Sequence, residues 1–218
     1  MNSKVSFQIP SKGLFLPNHD IDDPLPYYYK PFTRFLYRYR IQLGLNLLPP
    51  TVFENVLDFG YGSGLLLPTL SKIAKNLYGL DLVSEPDIVQ PVLDKLDIKA
   101  ELVKGDITTV DYSKDFFDLI VCFSVFEHIE NPEEILHKMY EILKPGGILL
   151  VGMPRVDKKM ERLFDFIGYH NIDQHHVSQH KDFIKIAEKY LILTQRNRLF
   201  GFLPKNFGLY FNMLFEKN

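Results

Sequence analysis

The stretch Asn55-Val56-Leu57-Asp58-Phe59-Gly60-Tyr61-Gly62-Ser63-Gly64 decides how the rest of this chain is read. Val56 and Leu57 end a buried strand, and Asp58 sits where that strand leaves the sheet. Gly60, Gly62 and Gly64 then alternate through a turn, and Leu65 to Lys75 is expected to be helical. Glycine serves such a turn twice over: it admits positive φ, and its missing Cβ lets a ligand lie against the backbone. The turn opens onto a helix N-terminus, where unpaired N–H groups point outward. A dinucleotide fingerprint would read G-x-G-x-x-G. Here the third glycine comes one residue early, and Leu65 stands where that pattern wants Gly or Ala. The Asp58 carboxylate beside the opening would repel a pyrophosphate and suits a cationic or amine-bearing ligand.

Further along, Leu77 to Leu82 reads as a second strand ending in Asp81, roughly 20 residues beyond the turn. An acid there faces the first strand's glycines and can accept from two ribose hydroxyls; on its own it would be a helix cap or a solvated loop acid. Ser84 to Leu96 is expected to be a helix capped by Ser84, with Pro91 kinking it. Ile98 to Lys104 reads as a third strand, followed by Gly105-Asp106-Ile107. Phe117 to Phe123 is a nearly continuous apolar run, as in a strand buried on both faces of a parallel sheet. It leads into Ser124-Val125-Phe126-Glu127-His128. Asn131-Pro132-Glu133-Glu134 starts a helix with Asn131 as cap and Pro132 at its first position. Ile135, Leu136, Met139, Ile142 and Leu143 form its buried face, Lys144-Pro145-Gly146-Gly147 stops it, and Ile148 to Met153 is the next strand.

Several of these features in this order resemble the class I S-adenosylmethionine-dependent methyltransferases. The D-x-G-x-G-x-G turn at Asp58 to Gly64 is similar to their motif I, and Phe117-Asp118-Leu119-Ile120 to their motif IV strand. Glu127-His128 resembles the Glu-His pair of the small-molecule branch that includes ubiquinone-type O-methyltransferases. Leu143 to Gly147 is similar to the turn before their fifth strand. The likeness covers residues 55 to 154 well and the flanks in outline. It implies an α/β, Rossmann-like three-layer sandwich with a seven-stranded mixed sheet, the last strand antiparallel, and an N-terminal helical lid. It implies S-adenosyl-L-methionine as cofactor and S-adenosyl-L-homocysteine as product. Their binding would fall to Asp58, Phe59, Gly60, Gly62, Gly64, Asp81, Leu82, Asp106, Ile107, Phe123 and Ser124. Asp106 would accept from the adenine amino group. Catalysis would rest on holding the acceptor in line with the methyl group, with water excluded.

The flanks carry the acceptor side of this expectation. Residues 1 to 54 read as an arm and lid, and residues 55 to 218 as the methyltransferase domain, one domain overall. Pro10, Pro17, Pro24 and Pro26, with little periodicity, make residues 1 to 26 an extended or loosely ordered arm. From Tyr27 to Leu48 the pattern is helical, with Phe32, Leu36, Tyr39 and Leu43 in one stripe and Arg34 and Arg38 on another face. Such a helix is a lid with Tyr27 to Tyr29 lining the pocket, a basic aromatic helix on a membrane surface, or a cover for one side of the core. His128 either takes a proton from the acceptor or holds its loop locally. The run from His170 to His180 contains four histidines; it lacks H-E-x-x-H, so no metal is assigned to it. The resemblance puts a histidine of this run near the acceptor, His175 or His176; otherwise the run is a polar loop leading to Ser178 as a cap. Lys158 to Ile167 is expected to be a helix. Phe183, Ile186, Ala187 and Tyr190 face the core from the last helix, and Ile192 to Phe200 with Leu209 to Phe215 form a closing hairpin around Gly201, Pro204, Asn206 and Gly208.

Composition narrows the partners. The 218 residues carry a formal net charge of -2, which gives no electrostatic case for nucleic acid. The one cysteine, Cys122, lies in the apolar strand and is expected to be core, with no disulfide and no cysteine-rich zinc site. No apolar run reaches a membrane span and the N-terminus lacks a signal-peptide pattern, so a cytoplasmic protein is expected, and the resemblance implies a small-molecule acceptor. Peripheral membrane contact stays open through the aromatic helix, as does the oligomeric state.

Overall fold

The structure, a computed structural model, describes residues 4–15, 24–31, 33–154, 180–201 and 209–218. Seven strands form one sheet: β1 (Phe53–Phe59), β2 (Ala74–Asp81), β3 (Glu101–Lys104), β4 (Phe117–Phe123), β5 (Leu143–Pro154), β6 (Ile192–Arg198) and β7 (Tyr210–Glu216). Their order is β3-β2-β1-β4-β5-β7-β6. All neighbours from β3 to β5 run parallel, and β7 runs antiparallel to both β5 and β6. Helices α1 (Arg34–Leu45), α2 (Leu67–Leu70), α3 (Pro86–Lys95), α4 (Pro132–Ile142) and α5 (His180–Ala187) are joined by short 3₁₀ turns at Leu25–Tyr28 and Phe126–His128. This is the Rossmann-like three-layer arrangement expected from the sequence.

The continuous apolar run of β4 explains the layering. Successive side chains of a strand point to opposite faces. Leu119 and Val121 join a core with Ile41 and Leu45 of α1 and Val89 and Leu93 of α3. Ile120 and Cys122 join a second core with Leu136 and Met139 of α4 and Phe183 and Ala187 of α5. Cys122 is thus a buried core residue, and burial raises its thiol pKa well above the usual value.

Several elements differ from expectation. The helix expected over 65 to 75 is the four-residue α2, and Lys75 belongs to β2. Pro68 starts that turn, and the backbone then pairs beside β1 from Ala74, in register with Phe53. The helix expected from Tyr27 begins only at Arg34, after the 3₁₀ turn and Pro31. Its buried face is Ile41, Gly44 and Leu45, not the expected stripe. Tyr39 is 41% exposed and stacks on Phe35, 65% exposed, with ring centroids 5.5 Å apart. The aromatic periodicity therefore runs along an outer face, while a glycine faces inward. Phe32 lies outside the described residues.

Neither Ser84 nor Asn131 caps a helix with its side chain; Glu85 and Asn131 hold the cap positions of α3 and α4 without a side-chain bond. Pro91 does not end α3, because it and Asp87 four residues earlier face solvent, where water can satisfy the freed carbonyl. Leu143 to Gly147 is continuous with β5, its geometry a bulge: Phe117 pairs with Leu143 but Leu119 with Ile148. Gly146, at φ 73°, donates its N–H to Lys217 O, and Lys217 N donates to Gly147 O.

The described residues of the N-terminal arm are tied to the rest of the chain. Phe7 N donates to Gln42 Oε1 at 2.7 Å, Gln8 N donates to Thr69 Oγ1 at 2.9 Å, and Phe15 is buried. The expected helix over 158 to 167, the run from His170 to Gln179 and the hairpin tip at Pro204, Asn206 and Gly208 lie outside the described residues.

Candidate functional site

The strand order reverses direction of growth between β1 and β4, the point at which open α/β sheets bind ligands beyond their carboxyl ends. A cavity of about 750 Å³ opens there. It is lined by the ends of β1, β2 and β4, by the loop after β3, and by Phe7, Tyr28, Arg40 and Ile41. Ten of the eleven expected cofactor residues line it: Asp58, Phe59, Gly60, Gly62, Asp81, Leu82, Asp106, Ile107, Phe123 and Ser124. Gly64 does not. A Cβ on Gly64 would lie 2.5 Å from Val89 Cγ1, so that glycine lets α3 pack against the turn.

The glycine turn has the backbone its composition implies. Gly60, Gly62 and Gly64 have φ of 78°, 52° and 81°, all left-handed. A Cβ on Gly60 would meet Val125 Cγ2 at 2.2 Å, while one on Gly62 would meet nothing within 4 Å. Gly60 is therefore required by the loop after β4, and Gly62 leaves its backbone open to the cavity. Tyr61 is buried, and its hydroxyl donates to Ser84 O at 3.0 Å, fastening the turn to the end of β2.

The Asp81 carboxylate does face that turn. Its Oδ2 accepts from Gly62 N at 2.9 Å, and its Oδ1 accepts from Val83 N and Ser84 N at 2.9 and 2.8 Å. Asp106 is exposed, and its Oδ1 accepts from Thr108 N and Oγ1, both at 2.8 Å. Asp58 is the unusual member. It is only 3% exposed, and its Oδ2 has no hydrogen-bond partner. Burial, reinforced by the neighbouring Asp81 charge, pushes its pKa up to about 8. Three acidic side chains at one cavity, one of them with an orphaned oxygen that a bound cation would help to ionise, suit a ligand bearing positive charge and N–H donors. The residues present thus fit the sulfonium and amine of S-adenosylmethionine.

Beyond β4 the site changes character. Ser124 adopts φ 59°, a left-handed conformation uncommon for serine, and shares a 2.9 Å hydrogen bond with Tyr210 Oη. The Phe123 ring is pressed between two glycines: a Cβ on Gly44 would meet it at 2.7 Å and one on Gly152 at 2.3 Å. Glu127 is 1% exposed with Oε2 unpartnered, and burial pushes its pKa up to about 8. His128 is exposed and lines the cavity mouth with Ile129 and Glu130. Of Tyr27 to Tyr29, Tyr28 lines the cavity. His175 and His176 lie outside the described residues. Among the described residues no group of His, Cys, Asp and Glu could hold a metal ion. Arg40, Tyr61 and Tyr210 were missed from the sequence; the only local signal was one more arginine in a helix whose inward face was misjudged.

A family model described as a methyltransferase domain matches residues 32–190, well over half the chain. The chain belongs to the class I S-adenosylmethionine-dependent methyltransferase family. Among curated relatives, this methyltransferase is 26% identical over 169 residues to a ubiquinone biosynthesis O-methyltransferase of Hydrogenovibrio crunogenus, covering 75% of this chain and 68% of the relative. It is 29% identical over 149 residues to the protein of the same name from Rickettsia typhi, covering 65% of this chain and 58% of that one, less than two thirds of the relative's length. Among solved structures, the N-methyltransferase NodS of Bradyrhizobium japonicum WM9, in complex with S-adenosyl-L-homocysteine, superposes with a TM-score of 0.64 at 21% identity. That match covers 90% of this chain and 92% of NodS, and at this identity it shows the fold alone.

Proposed function

We propose that this methyltransferase transfers a methyl group from S-adenosylmethionine to a hydroxyl of a small aromatic or quinone-like acceptor. One observation carries the proposal: Asp58, Asp81 and Asp106 end three neighbouring strands at one cavity, beside a glycine turn whose central residue is open to it. In this reading Asp81 holds the ribose hydroxyls, Asp106 the adenine amino group, and the orphaned Asp58 carboxylate the ammonium end. Phe59, Leu82, Ile107, Phe123 and Ser124 enclose the cofactor's remaining surface. When bound, the cofactor supplies an electrophilic methyl: the acceptor's oxygen lone pair forms the new bond, and the C–S pair returns to sulfur, leaving S-adenosylhomocysteine. His128, at the cavity mouth, takes the hydroxyl proton. The segment 1 to 54 acts as the lid in this reading, a role supported by Phe7, Leu25, Tyr28, Arg40 and Ile41, which line the cavity.

The ubiquinone O-methyltransferases among the relatives support a hydroxyl on a ring as acceptor. None of the helices among the described residues is long and apolar enough to cross a membrane, and we take the working compartment to be the cytoplasm. No nucleic-acid partner is invoked. The test is calorimetry with S-adenosylhomocysteine, with NAD as control, followed by transfer of labelled methyl from S-adenosylmethionine to catechols. Binding with turnover supports the reading. Binding without turnover on any hydroxylated ring points to a non-catalytic cofactor-binding protein, and binding of NAD alone overturns the assignment.

A further inference from the structure

Helix α1 has two apolar faces. Tyr37, Ile41, Gly44 and Leu45 turn towards the core. The helical period sets Phe35, Leu36, Tyr39 and Leu43 within about 100° of one another on the opposite side. Phe35 and Tyr39 are exposed, and their rings stack only 13° from parallel. Leu36 and Leu43 are half-buried, and among the described residues none of the four belongs to either hydrophobic core. The stripe runs about 12 Å along the helix. Contiguous rings and aliphatic side chains left outside the core mark a surface made for contact.

Charge identifies the contact. Residues 24 to 53 hold Lys30, Arg34, Arg38 and Arg40 and no acid, in a chain whose formal net charge is -2. Arg40 is taken up by the rings of Tyr28, Tyr37 and Tyr210. Lys30 and Arg34 are exposed, and Arg38 is half-buried. Among the described residues none of these three forms an ion pair. Basic side chains beside an aromatic stripe complement an anionic lipid surface, where rings enter the headgroup boundary and cations meet phosphates. A second copy of the chain fits worse, because a two-fold contact through this face would bring Lys30 and Arg34 towards their own counterparts.

We propose that the outer face of α1 docks on an anionic lipid surface, with Phe35, Leu36, Tyr39 and Leu43 entering the headgroup region and Lys30, Arg34 and Arg38 pairing with lipid phosphates. The contact is peripheral: the 12 residues of α1 lie in the plane of the interface and do not cross it. Ile41, on the opposite side of the same helix, lines the cavity, so docking holds the cavity about one helix diameter, about 10–12 Å, from the lipid. The proposal stands on this surface and is independent of the reaction assigned above.

The test is co-sedimentation of the full chain with vesicles of mixed phosphatidylcholine and phosphatidylglycerol, against phosphatidylcholine alone. Each basic residue near an anionic surface is worth about fivefold in affinity, so the anionic vesicles should bind at least about tenfold tighter, with the gap closing in high salt. Phe35→Ser combined with Tyr39→Ser should weaken binding about tenfold or more, whereas Ile192→Ser, at an exposed aliphatic residue of β6, should leave it unchanged. The chain has no tryptophan, so Phe35→Trp supplies a single reporter. Its emission should shift to the blue on anionic vesicles and be quenched by brominated acyl chains, while that of Ile192→Trp stays unmoved. Urea denaturation reports the folding of each variant. Equal binding to both vesicles, binding to neither, or anionic binding that survives the paired serine substitution overturns the proposal. So does a reporter at position 35 that stays in water while the chain is bound, which would put the contact on another face. Capture of a single-stranded oligonucleotide in place of vesicles would make the face a nucleic-acid platform, and a concentration-dependent dimer lost in the serine pair would make it an interface between copies; either result also overturns it. Should the serine pair not fold, Phe35→Trp and Arg34→Gln, the latter expected to weaken anionic binding about fivefold, decide.

Discussion

Replacing Asp58 with Asn should separate stability from ligand binding, and the direction depends on pH. Asp58 is buried with one oxygen unpartnered, and its pKa rises from a usual 3.8 to about 8 in the folded chain. At pH 7 the folded state therefore holds this proton and the unfolded chain has released it. For a raised pKa, the group's contribution to stability is fully present below the unfolded value and is lost as pH climbs towards the folded one. Linkage is worth about 1.4 kcal/mol per pH unit, so between pH 4 and pH 7 native Asp58 forfeits up to about 4 kcal/mol. Asn at this site does not titrate. Whatever fixed packing cost it brings, the stability difference between Asp58→Asn and native should shift in the mutant's favour by roughly that amount from pH 4 to pH 7. Urea denaturation of both proteins at the two pH values measures it. The same substitution should weaken S-adenosylhomocysteine binding, because the amine loses a charged acceptor. Native affinity should also fall as pH drops below about 8, by up to about tenfold per unit, while the mutant's stays flat. A pH-independent stability difference between the two proteins would refute the reasoning, since Asp58 would then not be held protonated.

Gly60→Ala should lower stability by roughly 1–3 kcal/mol in urea denaturation, from left-handed strain and the 2.2 Å clash with Val125. Val125→Ala added to it should recover part of the loss; full stability of the single mutant would mean that the turn does not need a glycine there. Gly62→Ala meets no atom within 4 Å, so it should cost only about 1 kcal/mol in stability yet weaken S-adenosylhomocysteine binding far more, as calorimetry would read. Asp81→Ala should abolish cofactor binding and also destabilise the chain, because the N–H groups of Gly62, Val83 and Ser84 lose their acceptor. Binding at native affinity would end the ribose assignment. His128→Gln should reduce methyl transfer by about a hundredfold or more, with cofactor-product affinity unchanged. Turnover at the native rate would leave His128 a loop residue.

The part of the cavity proposed for the cofactor was readable in one dimension because the residues that line it are local. Asp58, Gly60 and Gly62 sit within one short turn, and a parallel sheet brings Asp81 and Asp106 beside them whenever consecutive strands pair. Gly64 has the φ and the spacing of a ligand-binding glycine, while its Cβ direction faces Val89, a contact no local pattern announces. The surroundings of Arg40 were scarcely readable. Arg40 and Tyr210 meet from opposite ends of the chain, and the face of α1 that carries Arg40 was mistaken because Phe35 and Tyr39 are apolar yet turned outward.

By itself, then, the sequence determined the alternation of strands and helices, the buried strand β4 and the glycine turn, since period, apolar runs and backbone freedom are properties of neighbouring residues. Only the tertiary structure decided that an Asp58 oxygen would be stranded without a partner, that burial would raise the Glu127 pKa, and that Arg40 would line the same cavity as the three aspartates. Those are consequences of burial and of distance in space, which segments far apart in the chain create together.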